Sequence, residues 1–590
     1  MSKFSVNLEV IEEFDISLSY DLHNINNYDN PNFKPLKFDK ISYYYPTLKI
    51  FDDNNLESST GSIYSLNTEK QNINYKTIYD KKLNQYIEKD IFFKFAPLLD
   101  PTRFMIGKYQ ELNEQIYKLP SINNSSISKY SSFYNASYTD NFACFIINKL
   151  LHKHNFIHGI EYYGSFLTIQ DKYRIDVVDE LDYLFESDYF KNNLDKKFYL
   201  DNKEQFEFLN YGSRSNKPKI NISKTNKNVT ISSLNIEYVD TFNDDIEELV
   251  YESNNNNKSV SQDENNCNLI CSDNDKDIDD DDDDNSLENL SDEENNENQN
   301  NNNDSEDNKY DQNEKYDSDD NDDDDYDDDD SDDSDSDDET PVYCYIDNFP
   351  IQVISIEKCN GTFDKLLSKD EVDIDIARSI LFQIIMILIT YQKCFHLTHN
   401  DLHTNNIMYV NTNIKYLYYK FNNKYYKVPT FGKIIKIIDY GRSIYKFNGN
   451  LFCSDSYSPG GDAHTQYNTE PFMDENKARL DPNYSFDLCR LGCSIYDFII
   501  DQDEPYESLD DFQKIIVEWC SDDNDKNILY KKNGDERYPN FKLYKMIART
   551  VHRHTPEAQL EKSFFKLYVS SKKNVAKKQL FDIDDLPVYI

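Results

Sequence analysis

The sequence predicts a bilobal α+β fold, strand-rich in its first part and helical in its second, with a long acidic insertion that stays disordered. Three observations carry this expectation. Strand-like runs separated by turn residues gather before about residue 170 and return at Tyr343, as in Asp90-Ile91-Phe92-Phe93-Lys94-Phe95-Ala96. From Thr362 onward the longest apolar patterns have helical spacing. Residues 251–340 hold 39 Asp and Glu against four Lys, a net of −35 out of the chain's −46. Such a segment buries too little apolar surface to offset its ordering entropy.

Taken in order, residues 1–50 show short alternating runs such as Phe4–Val10 and have no assigned role. The strand-rich part is expected over 51–255, with insertions. In Ser58-Ser59-Thr60-Gly61-Ser62-Ile63-Tyr64, small residues form a turn between strands, where a backbone can approach phosphates. An ordinary hairpin turn has the same composition. Lys94 stands inside an apolar strand, where a cation needs an anionic partner unless it lies on a wet face. Asp140 opens the helical pattern Asp140–Leu151, where it can either reach Lys94 or favour the helix N-terminus by its charge. Leu181–Tyr189 reads as helix and Asn226–Val239 as strand.

After the acidic tract of 256–340, residues 341–361 carry the last strands of the first part, ending at Glu357-Lys358-Cys359-Asn360-Gly361. The helical part is expected over 362–570 and a tail over 571–590. Within it come helices at Thr362–Leu367 and Asp373–Phe395, then a Tyr-rich hairpin turning at Asn422-Asn423. A strand at Lys433–Ile438 follows, and further helices at Ser485–Tyr496, Leu509–Cys520, Leu543–His554 and Pro556–Tyr568.

Composition limits the function classes. Without the acidic tract the remaining 500 residues are only mildly acidic, so no basic face for nucleic acid is expected. The ten cysteines form no zinc pattern and suit a reduced, intracellular setting. Ala377–Phe395 contains Arg378, Gln383, Gln392 and Lys393, so a buried helix is expected there rather than a membrane span. No secretory leader is read at Met1-Ser2-Lys3-Phe4.

The chemistry concentrates in Leu397-Thr398-His399-Asn400-Asp401-Leu402-His403-Thr404-Asn405-Asn406 and in Ile437-Ile438-Asp439-Tyr440-Gly441. A carboxylate, a carboxamide five residues later and a distant strand-end Asp make a set suited to phosphoryl transfer. One Asp handles the substrate hydroxyl, while the Asn and the second Asp hold a metal on nucleotide phosphates. Asp487 lies inside an apolar helix in Ser485-Phe486-Asp487-x-x-x-Leu491-Gly492, and a buried carboxylate there needs partners such as loop amides.

This order of elements resembles the eukaryotic-type protein kinase family. More narrowly it is similar to the divergent serine/threonine protein kinases of giant DNA viruses, with some likeness to haspin, whose loop also carries His two residues after the Asp. The resemblance covers roughly 51–170 and 341–555. It implies that Asp401 is catalytic, that Asn406 and Asp439 are metal ligands, and that Lys94 pairs with nucleotide phosphates and with Asp140. It also implies Gly61 and Ile63 in the phosphate loop, Glu357 and Cys359 in the adenine-binding hinge, and supporting roles for His399, His403, Gly441 and Asp487. The implied cofactors are ATP with Mg²⁺ or Mn²⁺.

The departures from the family pattern bear on regulation. Leu56 and Ser58 stand in place of glycines, and Asn400 in place of the usual arginine, so switching by phosphate on the activation segment is not expected. His403 replaces the usual lysine; neutral, it neutralises phosphate poorly, whereas carboxylates and phosphates nearby favour its protonation. The expected activity is ATP-dependent phosphorylation of Ser or Thr in a protein substrate. A pseudokinase scaffold and a small-molecule phosphotransferase are the alternatives. The acidic tract reads as a solvated insertion or as an arm for a basic partner, with no nucleic acid and no membrane as partners. The expected location is intracellular and soluble, in a host cytoplasm or packaged in a virion.

Overall fold

The computed structural model describes residues 7–10, 41–50, 64–74, 76–121, 127–201, 342–367, 373–501, 505–539, 541–575 and 580–590. The acidic tract, the strand expected at Asn226–Val239, and Gly61 and Ile63 all lie outside these residues.

Strand β1 (Leu8–Val10) pairs antiparallel with β2 (Tyr64–Leu66). Three short strands, β3 (Lys70–Asn74), β4 (Thr77–Asp80) and β5 (Gln85–Glu88), form an antiparallel meander. β6 (Ile91–Pro97) carries Lys94, with Ile91 and Phe93 buried on one face and Lys94 on the other, as strand alternation requires. Helix α1 (Ala136–His154) starts on Asn135, whose side chain accepts from the Ser137 N–H at 3.0 Å, and ends on Asn155 in the left-handed conformation. Every residue from Ser137 to Leu150 is buried, because other elements cover the helix on all sides.

β7 (Tyr162–Asp176), β8 (Phe198–Leu200) and β9 (Tyr343–Glu357) complete the main sheet. β9 lies in the middle, antiparallel to β6 on one side and to β7 on the other, and β8 pairs with its first half. The runs at Tyr343–Ile346 and Ile351–Ile356 look separate in sequence because Asn348 and Pro350 interrupt them. In the structure they are one 15-residue strand that absorbs Asn348 at φ 54°.

After the short β10 (Gly361–Thr362), helix α2 (Ile374–Phe395) begins on Asp373, which accepts from the N–H of Asp375 at 2.7 Å, and ends on His396 at φ 49°. It has the length and composition of a membrane span, yet 83% of its apolar window is buried inside the fold. Phe382 packs on Tyr426, Phe565 and Tyr568, and Tyr391 on Phe156 and Tyr440, so this helix is the axis of the second part. β11 (Ile407–Asn411), β12 (Tyr416–Phe421), β13 (Lys424–Pro429) and β14 (Lys433–Ile437) follow. β12 and β13 form a hairpin whose turn, Asn422-Asn423, has both residues at positive φ, the conformation Asn tolerates best after glycine. The ladder of β11 with β14 sets Ile407 opposite Ile437.

β15 (Ile444–Phe447) and β16 (Asn450–Cys453) form a second hairpin beside α1. Helices α3 (Phe486–Ile499), α4 (Asp511–Trp519) and α5 (Lys542–Thr550) come next. The stretch expected as one helix at 556–568 is two short helices, Pro556–Gln559 and Ser563–Lys566, separated by a turn. β17 (Val569–Ser570) pairs with β13, and the stretch expected as a tail from 571 contributes β18 (Leu580–Asp582), which runs parallel to β12. Ile583 behind it is fully buried.

Candidate active site

The β11–β14 ladder builds the centre of the site. With Ile407 opposite Ile437, the residue before one strand and the residues after the other emerge side by side. The Ile438 N–H donates to the Asn406 carbonyl at 3.0 Å. Asn406 in turn donates its side-chain N–H to the Asp401 carbonyl at 3.0 Å, which ties loop and ladder together. A one-residue slip of this ladder would turn one strand end over relative to the other.

Asp439 sits at φ 67°, an unusual conformation for a residue with a side chain. There its Oδ1 lies 2.7 Å from Lys94 Nζ and accepts a long 3.4 Å hydrogen bond from the Gly441 N–H. Lys94 also lies 2.6 Å from Asp140 Oδ2. Asp140 therefore reaches Lys94. It lies in the second turn of α1, past the helix start, and its Oδ1 accepts from the Tyr440 N–H at 2.8 Å. The two carboxylates differ in exposure, 2% for the Asp140 side chain and 46% for that of Asp439. Burial accordingly lifts the Asp140 carboxyl above its usual range despite Lys94. For Asp439, burial is outweighed by Lys94, which holds the carboxyl low. Burial also works against the Lys94 charge, but the two carboxylates raise it overall. The enclosed acid holds the lysine from the buried side, and the other holds it from the more exposed side.

Asp401 accepts a hydrogen bond from the Tyr544 hydroxyl at 2.8 Å, and Arg442 Nε stands 3.9 Å from its other oxygen. Burial opposes its ionisation, yet Arg442, Arg490, His403 and the Tyr544 bond bring the carboxyl down to about 2. His403 is pushed down to about 4 by burial, which outweighs the pull of Asp401. Burial thus favours the neutral ring over the protonation that the neighbouring carboxylates promote.

Asp487 is fully buried, and its two oxygens accept from the N–H groups of His399 at 2.9 Å and Asn400 at 2.8 Å. His399 shares its ring Nε2 with the Ile438 carbonyl at 2.9 Å. Asn400, at φ 64° and fully buried, donates to the carbonyls of Thr398 and Arg442 and accepts from the Tyr467 hydroxyl at 2.8 Å. It fastens the loop to the segment after Asp439 by neutral bonds. Glu357, at the end of β9, is engaged within the protein: its carboxylate pairs with Lys436 at 2.9 Å and accepts from the Glu161 N–H at 3.0 Å, while its own N–H donates to Glu161. Cys359 follows, half-buried, its thiol pushed up to about 12 chiefly by burial and so kept protonated.

The structure thus brings together Lys94, Asp140, Asp401, Asn406, Asp439 and Asp487 with their supporting residues. Sequence reasoning missed Arg442, Arg490 and Tyr544. Arg490 was within reach, since it lies three residues after Asp487 on one helix face. Tyr544 comes from a distant helix and carries no local signal. Among the described residues no group of three or more His, Cys, Asp or Glu forms a metal cage. Magnesium commonly binds one or two protein oxygens and completes its shell with phosphates and water, and Asn406 with the exposed Asp439 suits that mode.

Comparison with known proteins points to a distant kinase-like relationship. One stretch of 81 residues is 40% identical to the serine/threonine-protein kinase haspin of Mus musculus and covers 14% of this chain and 11% of that protein. Haspin of Bos taurus matches at 38% over 81 residues, 14% of this chain and 10% of the relative. The match therefore spans about a tenth of the length of these relatives. No family model matches the chain.

Proposed function

We propose that this chain is an ATP-dependent protein kinase, transferring the γ-phosphate to a Ser or Thr hydroxyl of a protein substrate. In this reading strands β1–β9 and α1 form the smaller lobe of a bilobal enzyme, and residues 362–570 the larger. The observation that carries the proposal is the convergence of Asp401, Asn406 and Asp439 on the β11–β14 ladder, with Lys94 held between Asp439 and Asp140. The similarity to haspin adds to it.

Each residue then has a defined task. Lys94 directs its charge toward the nucleotide phosphates, and Asp140 keeps it there. Asn406 and Asp439 would hold Mg²⁺ or Mn²⁺, which when bound neutralises charge on the phosphates. Asp401, with its carboxyl near 2, is a weak base in the resting enzyme. It orients the substrate hydroxyl and accepts its proton once bonding to phosphorus has made that proton acidic. The backbone of Cys359 and the end of β9 take the adenine side.

The test is phosphoryl transfer from labelled ATP with Mg²⁺ to the protein itself or to a generic basic protein. Asp439→Ala should lower incorporation by about a thousandfold, since it removes both a metal ligand and a partner of Lys94. Equal incorporation by wild type and variant overturns the enzyme and leaves a scaffold. Transfer to small molecules alone favours a small-molecule phosphotransferase.

A further inference from the structure

We propose that Tyr544 is a positioning residue for the reaction, aiming Asp401 through a relay whose far end is Arg490. The inference rests on the reading of Asp401 as the carboxylate that meets the substrate hydroxyl.

Hydrogen-bond bookkeeping fixes the direction of the relay. Arg490 Nε lies 2.8 Å from the Tyr544 hydroxyl, and a guanidinium can only donate. The hydroxyl is therefore the acceptor on that side, and its single proton points to Asp401 Oδ1, 2.8 Å away. The tyrosine ring is fixed as well. It stacks on Phe541 at 5.2 Å with planes 12° apart, and Phe486 packs against it at 6.2 Å. The Arg490 guanidinium lies 5.1 Å from the ring centroid. A ring held this way cannot swing its hydroxyl off the carboxylate without losing those contacts.

The relay makes the two oxygens of Asp401 unequal. Oδ1 is taken by Tyr544, and Arg442 at 3.9 Å is beyond hydrogen-bond range of Oδ2. Oδ2 is left to receive a substrate hydroxyl. The same helix acts on Asp401 twice: Asp487 holds the loop's backbone N–H groups, and Arg490, three residues on, acts on the side chain through Tyr544. Within the loop, Asn400 is committed to Thr398, Arg442 and Tyr467 and carries no charge. The fixed positive charge behind Oδ1 therefore comes from outside the loop.

Tyr544→Phe keeps the ring and removes the relay. Measured on the full chain beside wild type, Asp401→Asn and the double variant Tyr544→Phe/Arg490→Gln, kcat for Tyr544→Phe should fall about tenfold to a hundredfold, the loss of one hydrogen bond to a charged group. The KM for ATP and the thermal midpoint should stay at the wild-type values, and the double variant should lose no more than Tyr544→Phe alone. An active wild type with undiminished kcat in Tyr544→Phe overturns this proposal and leaves the kinase reading intact. So does a Tyr544→Phe loss explained by a lower thermal midpoint, or phosphate found on Tyr544 itself, which would make it an acceptor. A wild type with no transfer overturns the kinase reading and the relay together.

Discussion

Two clusters of the site meet the same electrostatic need by opposite routes. Around Lys94, the carboxylates of Asp140 and Asp439 touch the cation directly at 2.6 and 2.7 Å. Around Asp401 no cation among the described residues touches the carboxylate: Arg442 stands 3.9 Å off, and Arg490 acts through the Tyr544 hydroxyl. The first cluster is a set of contact pairs in a partly enclosed place, where each charge depends on the others. The second is spread over several neighbours, so no one of them carries it alone. A sequence motif specifies the acids of both clusters, but it specifies the balancing charge only in the first.

This contrast can be broken at either end. The largest effect should come from the contact cluster: Asp140→Asn leaves Lys94 leaning on Asp439 alone and, under the kinase reading, should lower kcat/KM for ATP about a hundredfold by misplacing the lysine. A small loss there would show that the two clusters are equally diffuse. Arg490→Gln in the second cluster should cost about tenfold in kcat, because Tyr544 keeps its bond to Asp401 but loses the charge behind it. A loss as large as that of Asp140→Asn would mean the relay behaves as a direct pair. The smallest effect belongs to His403→Gln, at less than about threefold, since an imidazole that titrates near 4 is neutral in both folded enzyme and assay. The sign follows from that value: protonation of His403 begins only as pH falls toward 4, so kcat between pH 6 and 8 should be the same function of pH in wild type and variant. A bend near pH 6.5 that disappears in His403→Gln would show a charged imidazole at work.

Much of this site was legible because its signals are local. The loop Leu397–Asn406, the strand ending before Asp439 and helix α2 appear within a residue or two of where spacing put them, and Asn422-Asn423 turns the hairpin as its composition demands. Asp487 reads as a buried acid seeking amides, and the loop supplies two. Pairing between distant segments is a different matter. Nothing local in Tyr343–Glu357 tells that it lies between β6 and β7, nor in Leu580–Asp582 that it runs beside β12. His403 shows a third kind of gap. Its charge state depends on how deeply the folded chain buries it, and a string of residues does not state burial.

The backbone of Asp439 has a consequence for engineering. A left-handed conformation at a residue with a side chain costs free energy that glycine would largely recover. Here the chain bears that cost at a half-exposed residue whose carboxylate is paired with Lys94. Replacing Asp439 would relieve that cost but take one carboxylate away from Lys94, so the two effects on stability oppose each other. A library screened for stability alone is therefore nearly blind to this position, and under the kinase reading it needs a parallel screen for transfer.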